Sequence, residues 1–203
     1  MRAVSMPRVQ QKPAEVEHAS AWESQDDAQL VERSLGGDRW ADEALYRRHA
    51  RRIAGTAMRL LGDRHEAEDV VQDAFVQAFS ELTKLRDPTA FGPWLLQIMV
   101  RKVHRRFRRR RFLGLLGFTH EGDLPLDSLL SETASPEHVV ELRLIQETLG
   151  RASAAERTAW TLRHVEGYRL AEIASACGCS LATAKRRIEA ARLRIDSHTR
   201  GIR

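Results

Sequence analysis

The chain has 203 residues, 30% of them charged, with a formal net charge of +5 and a pI near 9.7. That balance favours a polyanionic partner. No apolar run reaches the roughly 18 residues of a membrane span, and two cysteines make no disulfide framework.

The opening stretch, "MRAVSMPRVQQKPAEVEH", lacks the apolar core of a signal peptide. The cytoplasm is therefore the expected compartment, with no membrane insertion. Arginine, alanine, leucine and glutamate dominate, and strand-length alternation is rare, so the pattern is helical almost throughout. Residues 1–24 read as a loose polar tail with Pro7 and Pro13. A short helix fits "DDAQLVERSL", stopped by Gly36-Gly37. Asp38 can cap a second helix running to Gly62, and Asp63 a third, "RHEAEDVVQDAFVQAFSELTKL". After a break at "RDPTAFGP" comes a fourth helix, "WLLQIMVRKVHRRFRRRR". Pro93 is tolerated only in its first turn, which places the start between Thr89 and Gly92.

Composition changes sharply after Arg111. Residues 101–111 hold eight Lys or Arg; residues 112–137 hold none, but carry five acidic residues and Gly114, Gly117, Gly122, Pro125 and Pro136. This is the pattern of a flexible acidic linker between two helical domains. Helices resume at "EHVVELRLIQETLG" and continue to the end.

Near the C-terminus, Leu170, Ile173, Ala174 and Cys177 recur at helical spacing. Gly178 suits a left-handed position and Ser180 an N-cap. In the helix that follows, Leu181, Ala184, Ile188, Ala191 and Ile195 share one face. Two helices joined by a short glycine turn make a helix-turn-helix. Cys177 is then a small core residue and Cys179 a turn residue. A metal would need further ligands at zinc spacing, and Cys-x-Cys is not the redox spacing, so neither a metal nor a cofactor is expected. Arg186 lies nearly opposite the core face, with Thr183 and Arg187 to one side and Lys185 to the other. A basic, capped helix of this kind can enter the major groove, where arginine pairs with guanine. The alternative is a solvated basic helix on a bundle.

The fourth helix has an apolar side of Leu95, Ile98, Met99, Val103 and Phe107. Arg101, Arg105 and Arg108 follow at i, i+4 and i+7, with Lys102, Arg106 and Arg109 beside them. Like charges so placed repel, and a phosphate backbone would relieve them. Phe91 and Trp94 either stack on an unpaired base or belong to the core. On the third helix, Val70, Val71, Ala74, Phe75 and Ala78 alternate with Glu66, Glu68, Asp69 and Asp73. These acids either pair with nearby arginines or face a protein partner.

Taken together, these segments resemble a bacterial sigma factor of the extracytoplasmic-function group. "GDRHEAEDVVQDAFVQAF" looks like that family's contact with the clamp helices of RNA polymerase, "RDPTAFGPWLLQIMVRKVHRRFRRR" like its −10 reader, and "AAERTAWTLRHVEGYRLAEIASACGCSLATAKRRIEAARLRI" like its −35 domain. The resemblance implies an all-α, non-enzymatic protein of two small helical domains, 25–111 and 138–203, joined by the linker 112–137. It implies core RNA polymerase and promoter DNA as partners, often with an anti-sigma factor. Carried over by position, Asp69, Gln72 and Asp73 face polymerase, and the loop 82–90 traps a flipped −10 base. Phe91, Trp94, Arg101, Lys102, Arg105, Arg106, Arg108 and Arg109 serve the −10 element, and Thr183, Lys185, Arg186 and Arg187 the −35 duplex. Three places depart from the family's pattern: "FGPW" between the aromatics, Arg186 where a small residue is common, and Ser153-Ala154-Ala155 in place of Leu-Pro.

Two other classes remain in view. A repressor with the same helix-turn-helix would leave the acidic helix and the first basic helix unexplained. An enzyme would need a carboxylate cluster, phosphate loop or nucleophile motif that the sequence does not display.

Overall fold

A computed structural model describes residues 25–115, 145 and 147–200, and the tail and most of the linker lie outside these. Among the described residues every regular element is helical. The order is α1 (Asp27–Leu35), α2 (Arg39–Leu61), α3 (Arg64–Ser80), 3-10 turns at Leu82–Lys84 and Pro88–Ala90, α4 (Phe91–Leu115), α5 (Ala154–His164), α6 (Leu170–Ala176) and α7 (Leu181–Arg200). Residues 147–151 are also helical.

The helix starts follow from their caps. Asp26 accepts from the Gln29 amide at 2.8 Å, and the Gln29 side chain accepts in return from the Asp26 amide, a reciprocal capping box. Asp38 accepts from the Trp40 amide and also binds Arg33 at 2.6 Å, tying α1 to α2. The Arg33 bond holds the Asp38 carboxyl below its usual range. Gly62 ends α2 at φ 72°, a left-handed conformation that a Cβ would strain, and Asp63 caps α3 through the Glu66 amide.

Two boundaries differ from the sequence reading. The third helix stops at Ser80 rather than Leu85, because the backbone tightens into a 3-10 turn that swings Leu82 into the core. The fourth begins at Phe91, inside the expected window, but continues to Leu115. Gly114 is therefore the penultimate residue of this helix.

The apolar stripes expected on α3 and α4 are buried: Val70, Val71, Ala74, Phe75 and Ala78 on the first, Leu95, Ile98, Met99, Val103 and Phe107 on the second. With Leu30, Leu45 and Leu60 they form the core of an N-terminal bundle, α1 to α4. In the C-terminal group, Ser153 and Glu156 make a second capping box at the start of α5. Gly178, at φ 59°, turns the chain between α6 and α7, and the Cys179 amide returns to the Ala174 carbonyl at 2.9 Å. Ser180 caps α7 through the Thr183 amide at 3.2 Å. The two groups pack directly on each other, α6 and α5 lying against α4, and α5 against α2, so that one apolar cluster runs through both.

Candidate nucleic-acid and polymerase interfaces

The glycine turn and the Ser180 cap fix where α7 begins, and therefore which residues sit in its first two turns. Lys185 and Arg186 are exposed there; Thr183 and Arg187 are half-buried. Ala184, Ala191 and Ile195 are buried, as the periodicity required, but Leu181 is 54% exposed. It occupies the first residue of the helix, ahead of the point where α7 meets α5 and α6. Its apolar character at the tip of a basic helix is unrelated to the core.

The cysteines are free, half-buried and packed against the apolar cluster. Burial pushes the Cys177 thiol up to about 11; Cys179 adds to this and Arg187 opposes it. A thiol held in its neutral form is a poor nucleophile and a poor metal ligand. The turn reading of Cys-Gly-Cys accounts for this geometry.

On α4, Arg101, Arg105, Arg108 and Arg109 are exposed, and Lys102 and Arg106 half-buried. Lys102, Arg105, Arg106 and Arg109 line a groove of about 420 Å³ whose opposite wall is α3, through Val70 and Asp73. Asp69 pairs with Arg106 at 3.2 Å, and Glu66 with Arg110 at 2.8 Å. The three acidic-helix residues singled out from the sequence are therefore split. Asp69 and Asp73 face the basic helix, while Gln72 faces the other way.

Gln72 borders a second, apolar groove of about 650 Å³ between α2 and α3, with Tyr46, Val71, Phe75, Val76 and Phe79. Val76 is 63% exposed. The sequence reading missed this surface. The available signal was Val76 itself, an apolar residue off the buried stripe of α3.

From the groove an aromatic series leads to the start of α4: Tyr46 to Phe75 at 4.7 Å, Phe75 to Phe79 at 6.0 Å, Phe79 to Phe91 at 6.2 Å, Phe91 to Trp94 at 6.4 Å. Phe91 is fully buried within it, which corrects the expectation that its ring meets a DNA base: no face is open to stack. Trp94 is only half-buried, at the end of the series. The loop before α4 is held by Asp87, which accepts from both the amide and the hydroxyl of Thr89. Behind it, Asp27 accepts from Arg48 at 2.8 Å and His49 at 2.9 Å, and the His49 ring packs on Phe91. Burial alone would raise the Asp27 carboxyl, but the His49 and Arg48 bonds together hold it below its usual range.

Comparison with known proteins assigns both halves. The Sigma-70 region 2 family pattern matches residues 45–112, and the Sigma-70, region 4 pattern matches 142–195. RNA polymerase sigma-H factor of Pseudomonas aeruginosa is 33% identical over 177 residues, spanning 84% of this chain and 92% of that protein. The chain belongs to the sigma-70 family, in its extracytoplasmic-function group. The ECF RNA polymerase sigma-E factor of Escherichia coli is 30% identical, over 84% of this chain and 93% of its own. Among solved structures, CnrH in complex with the cytosolic domain of CnrY superposes with a TM-score of 0.62 at 26% identity, covering 86% of this chain and 97% of that one. The sigma factor RpoE of Bartonella quintana, solved with the anti-sigma factor NepR, shares the fold with a TM-score of 0.59 at 22% identity, over 79% and 98% of the two chains.

As a sigma factor the chain directs promoter-specific initiation of transcription by RNA polymerase. The basic α4 and the helix-turn-helix of α6 and α7 fall in the two matched regions, one in each. Among the described residues no helix is long and apolar enough to cross a membrane.

Proposed function

We propose that residues 25–111 seat core RNA polymerase and open the −10 element, that residues 138–203 read the −35 element, and that 112–137 links them. The observation that carries this reading is the pairing of an exposed apolar groove on one side of α3 with a basic groove on the other. An apolar surface bordered by Gln72 suits a protein partner. A groove lined by Lys102, Arg105, Arg106 and Arg109 suits a phosphate backbone, with Arg101 and Arg108 extending the basic surface. Asp69 and Asp73 act at the boundary. Asp69 holds Arg106 through its ion pair, and both carboxylates reach polymerase from the groove edge. The half-buried Trp94 is the aromatic available to an unpaired base, beside the loop 82–90.

At the other end, Arg186 is the base reader and Lys185 the phosphate contact, with Thr183 and Arg187 flanking them. The chain acts by binding rather than by catalysis, in the cytoplasm where it meets polymerase. An anti-sigma factor is its expected regulator, by analogy with the Bartonella quintana RpoE complex with the anti-sigma factor NepR. The test is transcription by core polymerase plus this chain on a promoter library, with the transcript starts sequenced. Starts should gather downstream of one two-block motif and vanish when the chain is omitted. Starts indifferent to the chain would refute the proposal.

A further inference from the structure

Where a helix enters the major groove, the residues of its first turns meet the base edges. Every Cα–Cβ bond of an α-helix leans toward the N-terminus, so the side chain of the first residue projects ahead of the tip. In α7 that residue is Leu181, which is exposed and belongs to neither apolar cluster of the described residues. The polar groups beside it are already engaged with each other. The Ser180 hydroxyl accepts from the Thr183 amide at 3.2 Å and meets the Thr183 hydroxyl at 2.9 Å. Ala182 is exposed and adds a methyl next to Leu181. The tip of this basic helix therefore presents an apolar surface outward, just ahead of the exposed Lys185 and Arg186.

A single exposed apolar residue ordinarily needs no explanation. Leu193, 60% exposed on the same helix, is such a case. It lies about 18 Å along the axis from Leu181, more than the roughly 12 Å width of the major groove. Leu181 differs because of its place. It precedes Arg186 by about 7.5 Å of helix, or roughly two base steps at 3.4 Å. In the major groove the apolar mark of a base pair is the C5-methyl of thymine; the other marks are hydrogen-bond donors and acceptors. A leucine set over a G·C edge would cover those groups and satisfy none of them.

We propose that Leu181 is a further base-reading residue of the −35 element, selecting thymine by packing on its C5-methyl about two base pairs from the guanine bonded by Arg186. This role rests on the reading of α7 as the −35 helix. Burying one methyl is worth about 0.8 kcal/mol, a preference of roughly fourfold. The contact carries no charge, so it adds nothing to the salt dependence of binding, unlike a lysine on a phosphate.

The experiment uses holoenzyme assembled from core polymerase and the full chain, on promoters randomised across the −35 element. Wild type should prefer thymine about fourfold at one position. Leu181→Ala should erase that preference alone, with unchanged helical circular dichroism and an unchanged slope of log activity against log salt. Lys185→Ala should keep the thymine preference and flatten the salt slope by about one. Deoxyuridine, which lacks only the methyl, is then put in place of that thymine. Wild type should lose about fourfold, and Leu181→Ala should lose nothing further, because the side chain and the methyl report one contact. Starts indifferent to the chain would overturn the promoter reading and this role with it. Chain-dependent starts with no thymine preference in the element, thymine preferences that all survive Leu181→Ala, or a deoxyuridine penalty that is absent from wild type or equal in both proteins would overturn the Leu181 role alone.

Discussion

Cutting Arg186 to alanine separates base reading from docking. The side chain is exposed in the second turn of α7, and alanine is the better helix former, so folding should change by no more than about 0.5 kcal/mol. A bidentate bond to guanine discriminates against the wrong base by roughly 1–3 kcal/mol. At about 1.4 kcal/mol per tenfold, the variant should lose roughly 5- to 150-fold of preference at one base pair of the −35 element. Lys185→Ala removes a point charge instead of a fork, so its activity should fall evenly over all bases there. The assay is transcription by holoenzyme from promoters randomised across the −35 element, with wild type and both variants in parallel. Identical base preferences in wild type and Arg186→Ala would refute the base-reading role, whatever the loss of overall activity.

Further outcomes can be checked with simple variants. Val76→Glu puts a charge into the exposed apolar groove and should weaken binding to core polymerase about tenfold or more, with normal circular dichroism; unchanged co-purification would move the polymerase seat elsewhere. Cys177→Ala with Cys179→Ser should keep promoter-directed transcription and cost about 1 kcal/mol or less of stability; stoichiometric zinc in the native protein, lost with activity in the variant, would contradict the turn reading. Burial, then Arg187 on α7 and Arg108 on α4, hold the His104 imidazole below its usual pKa while Thr158 on α5 bonds it. The stability this neutral ring contributes is complete above the unfolded value near 6.5 and is lost as pH falls from there towards the folded value. Thermal unfolding between pH 7.5 and 5.5 should therefore drop more for wild type than for His104→Gln, and equal drops would refute it.

The helix starts and buried stripes were legible because they depend on neighbours three or four residues away. Asp26, Asp38, Asp63 and Ser180 cap helices through amides two or three positions on, and the glycines at 62 and 178 relieve a strain that is local to one residue. The core faces of α3 and α4 follow from a 3.6-residue period. Segment order and spacing were enough to suggest the family. Tertiary structure alone decided where the polar faces look. Asp69 and Asp73 turn to the basic α4 and Gln72 to the apolar groove, because helices on either side of α3 present opposite chemistry. Phe91 is buried because Phe79, His49 and Trp94 converge on it from three parts of the chain. The Arg59–Glu166 pair joins residues 107 apart in sequence, and no local pattern encodes a contact whose partners meet only when two bundles dock.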